Sequence, residues 1–108
     1  MEKYKVEFLQ PALDDLEEIV LYIAKDSVTA ALKMHDEIIA QSKKLEIFPK
    51  LGREVPDRKL SESGFRMLII SHYIAFYRVI DNVIYIYRVM HGARNYPMMF
   101  NGCENYKI

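Results

Sequence analysis

Arg78, Tyr85, Tyr87 and His91, with Arg94 just beyond them, are the residues whose types and spacing suit chemistry. A histidine titrates near neutral pH and can give or take a proton. An arginine offers a planar two-pronged donor that fits a phosphate or a carboxylate, adding geometry to charge. A tyrosine offers a ring face for stacking and a hydroxyl for hydrogen bonding. Together these groups suit the binding of an anionic group, or of a partner's carboxylate, with a proton donor at hand.

Three adjacent strands are predicted to carry them, in the runs FRMLIIS, HYIAFYRVI and VIYIYRVMHGAR between Phe65 and Arg94. Asp81-Asn82 separates two β-branched and aromatic runs and suits a type I′ hairpin turn. That turn sets Ile80 opposite Val83, Arg78 opposite Tyr85, Phe76 opposite Tyr87 and Ile74 opposite Val89. Residues two apart share a face. One face then holds Ile74, Phe76, Arg78, Tyr85, Tyr87 and His91. The other holds Ala75, Tyr77, Val79, Ile84, Ile86, Arg88 and Met90. The second is mostly aliphatic and suits a core; the first is taken as a half-open working face. A one-residue slip would exchange the two. Tyr77 is read as core, Arg88 as a structural arginine paired with an acid of the first helix, and Arg66 as similar.

The elements that position this meander are legible upstream. Tyr4, Val6 and Phe8 alternate with Lys5 and Glu7, a half-buried strand. Pro11 fits a first helical turn, and Leu13, Leu16, Ile19, Val20 and Ile23 recur at helical spacing to about Lys25. Asp14, Asp15, Glu17 and Glu18 read as a solvated face that compensates the helix dipole. They do not read as metal ligands, because no histidine or second acidic cluster follows at ligand spacing. Asp26 or Ser27 caps a second helix whose stripe is Ala31, Met34, Ile38, Ser42 and Leu45, with a stop at Phe48-Pro49. His35, within this helix, reads as a surface or partly buried histidine rather than a catalytic one. Only a few residues join the helices, so an antiparallel hairpin is expected. Residues 49–64, with two prolines, two glycines and many charges, read as a connecting loop.

The bulk numbers bound the answer. A chain of 108 residues, 51% hydrophobic, makes one domain with one modest core. It is expected to span residues 1–97, followed by a tail at 98–108. Fifteen Lys and Arg balance fifteen Asp and Glu, so phosphate binding would need local charge asymmetry. One cysteine, Cys103, forms no internal disulfide, and no apolar run is long enough to span a bilayer. With no signal-peptide layout at MEKYKVEF, a cytoplasmic protein without membrane contact, metal or cofactor is expected. The fold class is α+β: a strand, an antiparallel helix hairpin, then a three-stranded antiparallel meander in one sheet with both helices on one face.

At this point the sequence resembles the RelE/ParE superfamily of toxins from type II toxin–antitoxin (plasmid stabilisation) modules. The resemblance covers residues 4 to about 96. It rests on YKVEFLQPALDDLEEIVLYIA, on IFPKLGREVP, on Phe65-Arg66, and on YIAFYRVIDNVIYIYRVMHGAR with the following Tyr96.

The resemblance implies a cognate antitoxin partner, a possible hetero-oligomer with it, and one of two targets. ParE-like members poison DNA gyrase; RelE-like members cut messenger RNA in the ribosome without a metal. RNA cleavage would use His91 as acid or base, Arg94 and Arg78 on phosphate, and Tyr87 or Tyr96 as a stacking platform. The arginine that many RelE-like nucleases carry in the third strand is Ile74 here, and the expected later tyrosine is Phe100. The His-Gly-x-Arg ending is more similar to ParE-type members. A gyrase toxin therefore leads; the alternatives are a nuclease with an altered residue set, or a degenerate, non-toxic member that only binds antitoxin or autoregulates. Arg78→Ala and Arg94→Ala are expected to leave the fold intact.

Overall fold

The computed structural model describes residues 3–92. Arg94, Tyr96 and the 98–108 tail lie outside the described residues. A first strand β1 (Lys5–Phe8) leads into α1 (Gln10–Ala24) and α2 (Val28–Lys43), which ends in a 3-10 turn (Lys44–Glu46). Then follow β2 (Arg53–Glu54), α3 (Arg58–Glu62), β3 (Arg66–Ile70), β4 (Tyr73–Ile80) and β5 (Val83–His91). The sheet order is β1-β5-β4-β3-β2, with β1 parallel to β5 and the other pairs antiparallel. No helix among the described residues is long and apolar enough to cross a membrane.

Local chemistry accounts for the helices. Pro11 sits in the first turn of α1, where its missing N–H removes no helical bond. Because α1 begins at Gln10, its first turn contains no acid; Asp14 and Asp15 fall in the second turn, where the dipole has faded. Their expected part in dipole compensation is thereby corrected. Ser27 caps α2, its Oγ accepting from the Ala30 N–H at 3.1 Å. The expected stripe of α2 is buried at Ala31, Ile38, Ser42 and Leu45. Of these, Ile38 and Leu45 cluster with Ala12 and Leu16 of α1 and with Leu68, Ile70, Ala75, Tyr77, Ile84 and Ile86 of the sheet. Each large aliphatic side chain buried there contributes about 1.5–3 kcal/mol.

The segment read as a connecting loop contains two elements. Asp57 caps α3, its Oδ1 accepting from the Leu60 N–H at 3.0 Å, and an Arg58–Glu62 pair at 2.9 Å runs along its exposed side. Leu60 of α3 joins Val55, Phe65, Met67, Phe76, Tyr87 and Met90 in a second buried cluster on the sheet face away from α1 and α2. The face taken as half-open is therefore itself a small core. The signal was present: an Asp cap at 57 followed by an apolar residue at 60 is a helix start.

Both hairpins of the meander close with two residues. Ser71 and Asp81, the first of each pair, take φ of 57° and 56°; His72 and Asn82 do not take positive φ. A type I′ turn needs positive φ at both positions, so the sign pattern is that of type II′. The pairing survives this correction, since either turn closes a two-residue loop. Ile80 faces Val83 and Arg78 faces Tyr85.

Further along, the register differs from strict alternation. Tyr77 faces Ile86 but Phe76 faces Arg88, so Tyr87 is an extra residue in β5, a β-bulge. Phe76 thus opposes Arg88 rather than Tyr87, and Ile74 opposes Met90 rather than Val89. Val89 joins the helix-side core, while Met90 moves to the second cluster. The bulge performs the one-residue slip that exchanges faces.

Candidate functional site

Arg78 is built into the second cluster. Its Nε and Nη2 donate to the Tyr87 hydroxyl at 3.1 and 2.6 Å, and its Nη1 donates to the Ser63 carbonyl at 3.1 Å. Its guanidinium carbon stands 5.1 Å from the ring centroids of both Phe65 and Tyr87. Those two rings pack edge to face, 4.9 Å apart. The fork therefore ties β4 and β5 to the end of α3. The expectation that Arg78→Ala leaves the fold intact is accordingly revised. We expect that change to lower unfolding stability by about 1–2 kcal/mol in urea titrations, from lost hydrogen bonds and cation–π contact. Arg78→Lys should recover less than half, because an ammonium lacks the planar fork. An Arg78→Ala protein as stable as the parent would refute this role.

His91 does not join Arg78 and Tyr87. Beyond the bulge it points to the helix side, at one end of β5, with its ring 5.6 Å from Tyr73 and 6.4 Å from His72. It lines an open cleft with Tyr73, Arg88, Asp14, Glu17, Glu18 and Tyr22. Its expected place on the Arg78 face is thus corrected, and the cause is the extra residue at Tyr87. Of the other expected site residues, Arg94 and Tyr96 lie outside the described residues.

Arg88 has the partner class expected of it. Its Nε and Nη2 donate to Asp15 Oδ2 and Oδ1 at 2.7 and 2.9 Å. Asp15 Oδ2 also accepts from the Val89 N–H at 2.9 Å. One carboxylate of α1 thus binds both the side chain and the backbone of β5 immediately after the bulge. The two side chains are only 23% and 13% exposed.

Tyr77 is buried core as read, but its hydroxyl does further work that the sequence did not reveal. It donates to the Pro49 carbonyl and accepts from the Gly52 N–H, both at 2.9 Å. Arg66 donates from Nε and Nη2 to the Gly52 carbonyl at 3.0 and 2.6 Å, and from Nη2 to the Lys50 carbonyl at 3.3 Å. Arg66 therefore holds loop carbonyls, whereas Arg88 holds an acid. The Phe-Pro and Gly-Arg pieces of the loop are fixed against the sheet by two side chains that look, in sequence, like ordinary strand residues.

Large apolar side chains remain on the outside of the helix hairpin: Leu13, Leu21 and Tyr22 on α1, and Val28 and Leu32 on α2. Scattered single exposures such as Leu13 need no explanation, but Leu21 and Tyr22 at the end of α1 and Val28 and Leu32 at the start of α2 flank the turn of the hairpin, the form of a docking face.

Comparison with known proteins places the fold. The chain is similar to the ParDE toxin–antitoxin system of P. aeruginosa at 24% identity and a TM-score of 0.69, covering 84% of this chain and 98% of that one. It is similar to the RelBE toxin–antitoxin complex of Mycobacterium tuberculosis at 22% identity and a TM-score of 0.54, covering 82% and 98%. A free-state mutant of the E. coli toxin RelE matches at 13% identity and a TM-score of 0.63, covering 90% and 92%. At these identities the likeness shows the fold, and it is the expected α+β fold. A sequence comparison with curated proteins gives no match. The model of one family, described as ParE toxin of type II toxin-antitoxin system, parDE, matches residues 6–96. The chain belongs to the ParE family of type II toxin–antitoxin toxins.

Proposed function

We propose that this toxin acts on a protein target, DNA gyrase, and is held silent by a cognate antitoxin. The observation that carries the target is the separation of His91 from Arg78, two of the residues a nuclease would need together. A nuclease built on these residues needs His91 beside the cations that hold phosphate. Here the Tyr87 bulge turns His91 to the helix side, while Arg78 is engaged with Tyr87 and Ser63 on the other. That division speaks against a cleavage site built on His91 and Arg78 together and favours inhibition by binding. The antitoxin is supported by the apolar series on the hairpin, Leu21, Tyr22, Val28 and Leu32, which suits an amphipathic helix laid across it. The structural neighbours from P. aeruginosa and M. tuberculosis are themselves toxin–antitoxin assemblies.

Inducing the protein alone tests the reading. Growth arrest with double-strand DNA breaks and an SOS response is expected, together with inhibition of purified gyrase. Co-expression of the gene product encoded beside it should relieve the arrest. His91→Ala should remain fully toxic. Rapid cleavage of translated messages, abolished by His91→Ala, would replace this reading with the ribosome-dependent endoribonuclease.

A further inference from the structure

Three large apolar side chains within five residues are exposed by about half: Ile47 at 51%, Phe48 at 60% and Leu51 at 48%. Flexible loops usually carry polar residues; this one is neither polar nor loose. The Phe48 N–H donates to the Lys44 carbonyl at 2.9 Å and the Leu51 N–H to the Phe48 carbonyl at 3.0 Å, folding the segment into consecutive turns. Beneath it, the buried Tyr77 hydroxyl grips Pro49 and Gly52, and Arg66 grips Lys50 and Gly52. A Cβ at residue 52 would fall 2.6 Å from the Met67 carbonyl oxygen, so the backbone is pressed onto the sheet there. An apolar surface held in one conformation has prepaid much of the ordering cost of binding.

The charge around it selects the occupant. Lys50 and Arg53 are exposed on the same segment, and residues 43–59 hold six Lys and Arg against three Asp and Glu, in a chain whose charges balance only as a whole. Phosphate binding would account for the cations but not for three exposed apolar side chains. A protein segment with acidic residues around an apolar anchor satisfies both. We propose that the pinned loop 47–53 is the surface by which this toxin docks an acidic, apolar segment of its protein target, separate from the hairpin face assigned to the antitoxin. This rests on the reading above that the toxin acts by binding a protein.

Two pairs of surface changes test it: Phe48→Ser with Leu51→Ser, and Lys50→Glu with Arg53→Glu. All four side chains are exposed, so both variants should melt within a few degrees of the parent and keep their affinity for the antitoxin. On induction alone, each pair should raise colony survival at least tenfold over the wild type, the apolar pair by as much as the charged pair. Three results on induction would overturn the proposal. They are variants that arrest growth like the wild type, a wild type that arrests nothing, and loss of toxicity confined to the charged pair, which indicates a nucleic acid on the loop. Concentration-dependent self-association of the wild type, abolished by both pairs, would instead assign the loop to a second copy and overturn it as well. Should the wild type arrest growth without inhibiting gyrase, the gyrase reading falls while the loop is still judged by survival.

Discussion

Asp15→Ala is expected to lower the free energy of unfolding by about 3 kcal/mol, measured by urea denaturation, the range for breaking a largely buried ion pair from one side. The change removes three hydrogen bonds at once: two from the Arg88 guanidinium and one from the Val89 N–H. It leaves a cation and a backbone donor behind, against the inner face of α1. Asp15→Asn should cost less, because its carbonyl oxygen still accepts from Val89 or Arg88. Replacing both members, Asp15→Leu with Arg88→Met, should cost less than the sum of the two single changes. Amide exchange at Val89 separates the backbone role from the charge role: it should speed up in Asp15→Ala more than in Arg88→Met. If Asp15→Ala costs under about 0.5 kcal/mol, the pair is a surface ornament of the usual small worth and does not anchor the bulge.

Gly52→Ala is expected to cost about 2–3 kcal/mol, although it adds a single methyl group. The added carbon would lie 2.6 Å from the Met67 carbonyl oxygen and 2.8 Å from the Tyr77 ring and hydroxyl. The first neighbour is sheet backbone and the second is a fully buried ring, so neither can swing aside. Relief requires lifting the loop, which breaks the Tyr77 bonds to Pro49 and Gly52. Tyr77→Phe isolates those bonds, and should cost about 1–3 kcal/mol through the donor left unsatisfied at Gly52. Because both changes act on one contact, their double variant should be clearly less destabilised than the sum. A Gly52→Ala protein as stable as the parent would show that the loop is not pressed onto the sheet. These two changes bracket the molecule: Asp15 holds the helix hairpin to β5, and Tyr77 holds the 47–53 loop to β4.

The pattern of hydrophobic residues determined a good deal of this protein by itself. The alternation at Tyr4–Phe8, the helical stripes through Leu16 and Ile38, and the β-branched runs from Arg66 to His91 each have a period that only one element satisfies. The short joint at residues 25–27 requires a helix hairpin, and the residues from YKVEFL to HGAR carry the family. Even the Arg88 pairing was legible in kind, since an arginine on an apolar face must meet an acid.

Tertiary structure alone decided the rest. Parallel pairing of β1 beside β5 joins strands more than 70 residues apart, and nothing local specifies which edge the first strand takes. The bulge at Tyr87 is not encoded in any turn residue. Beside it, Asp15 reaches across from α1 to the Val89 N–H, a contact 74 positions away in sequence. That one extra residue reverses the faces of Met90 and His91, and with them the assignment of a working face. Arg78 changed meaning for a similar reason. A strand arginine reads as exposed until the end of α3, only five residues long, brings the Ser63 carbonyl and the Phe65 ring against it. Periodicity reports which side of an element is apolar. It cannot report what a distant part of the chain will place against that side.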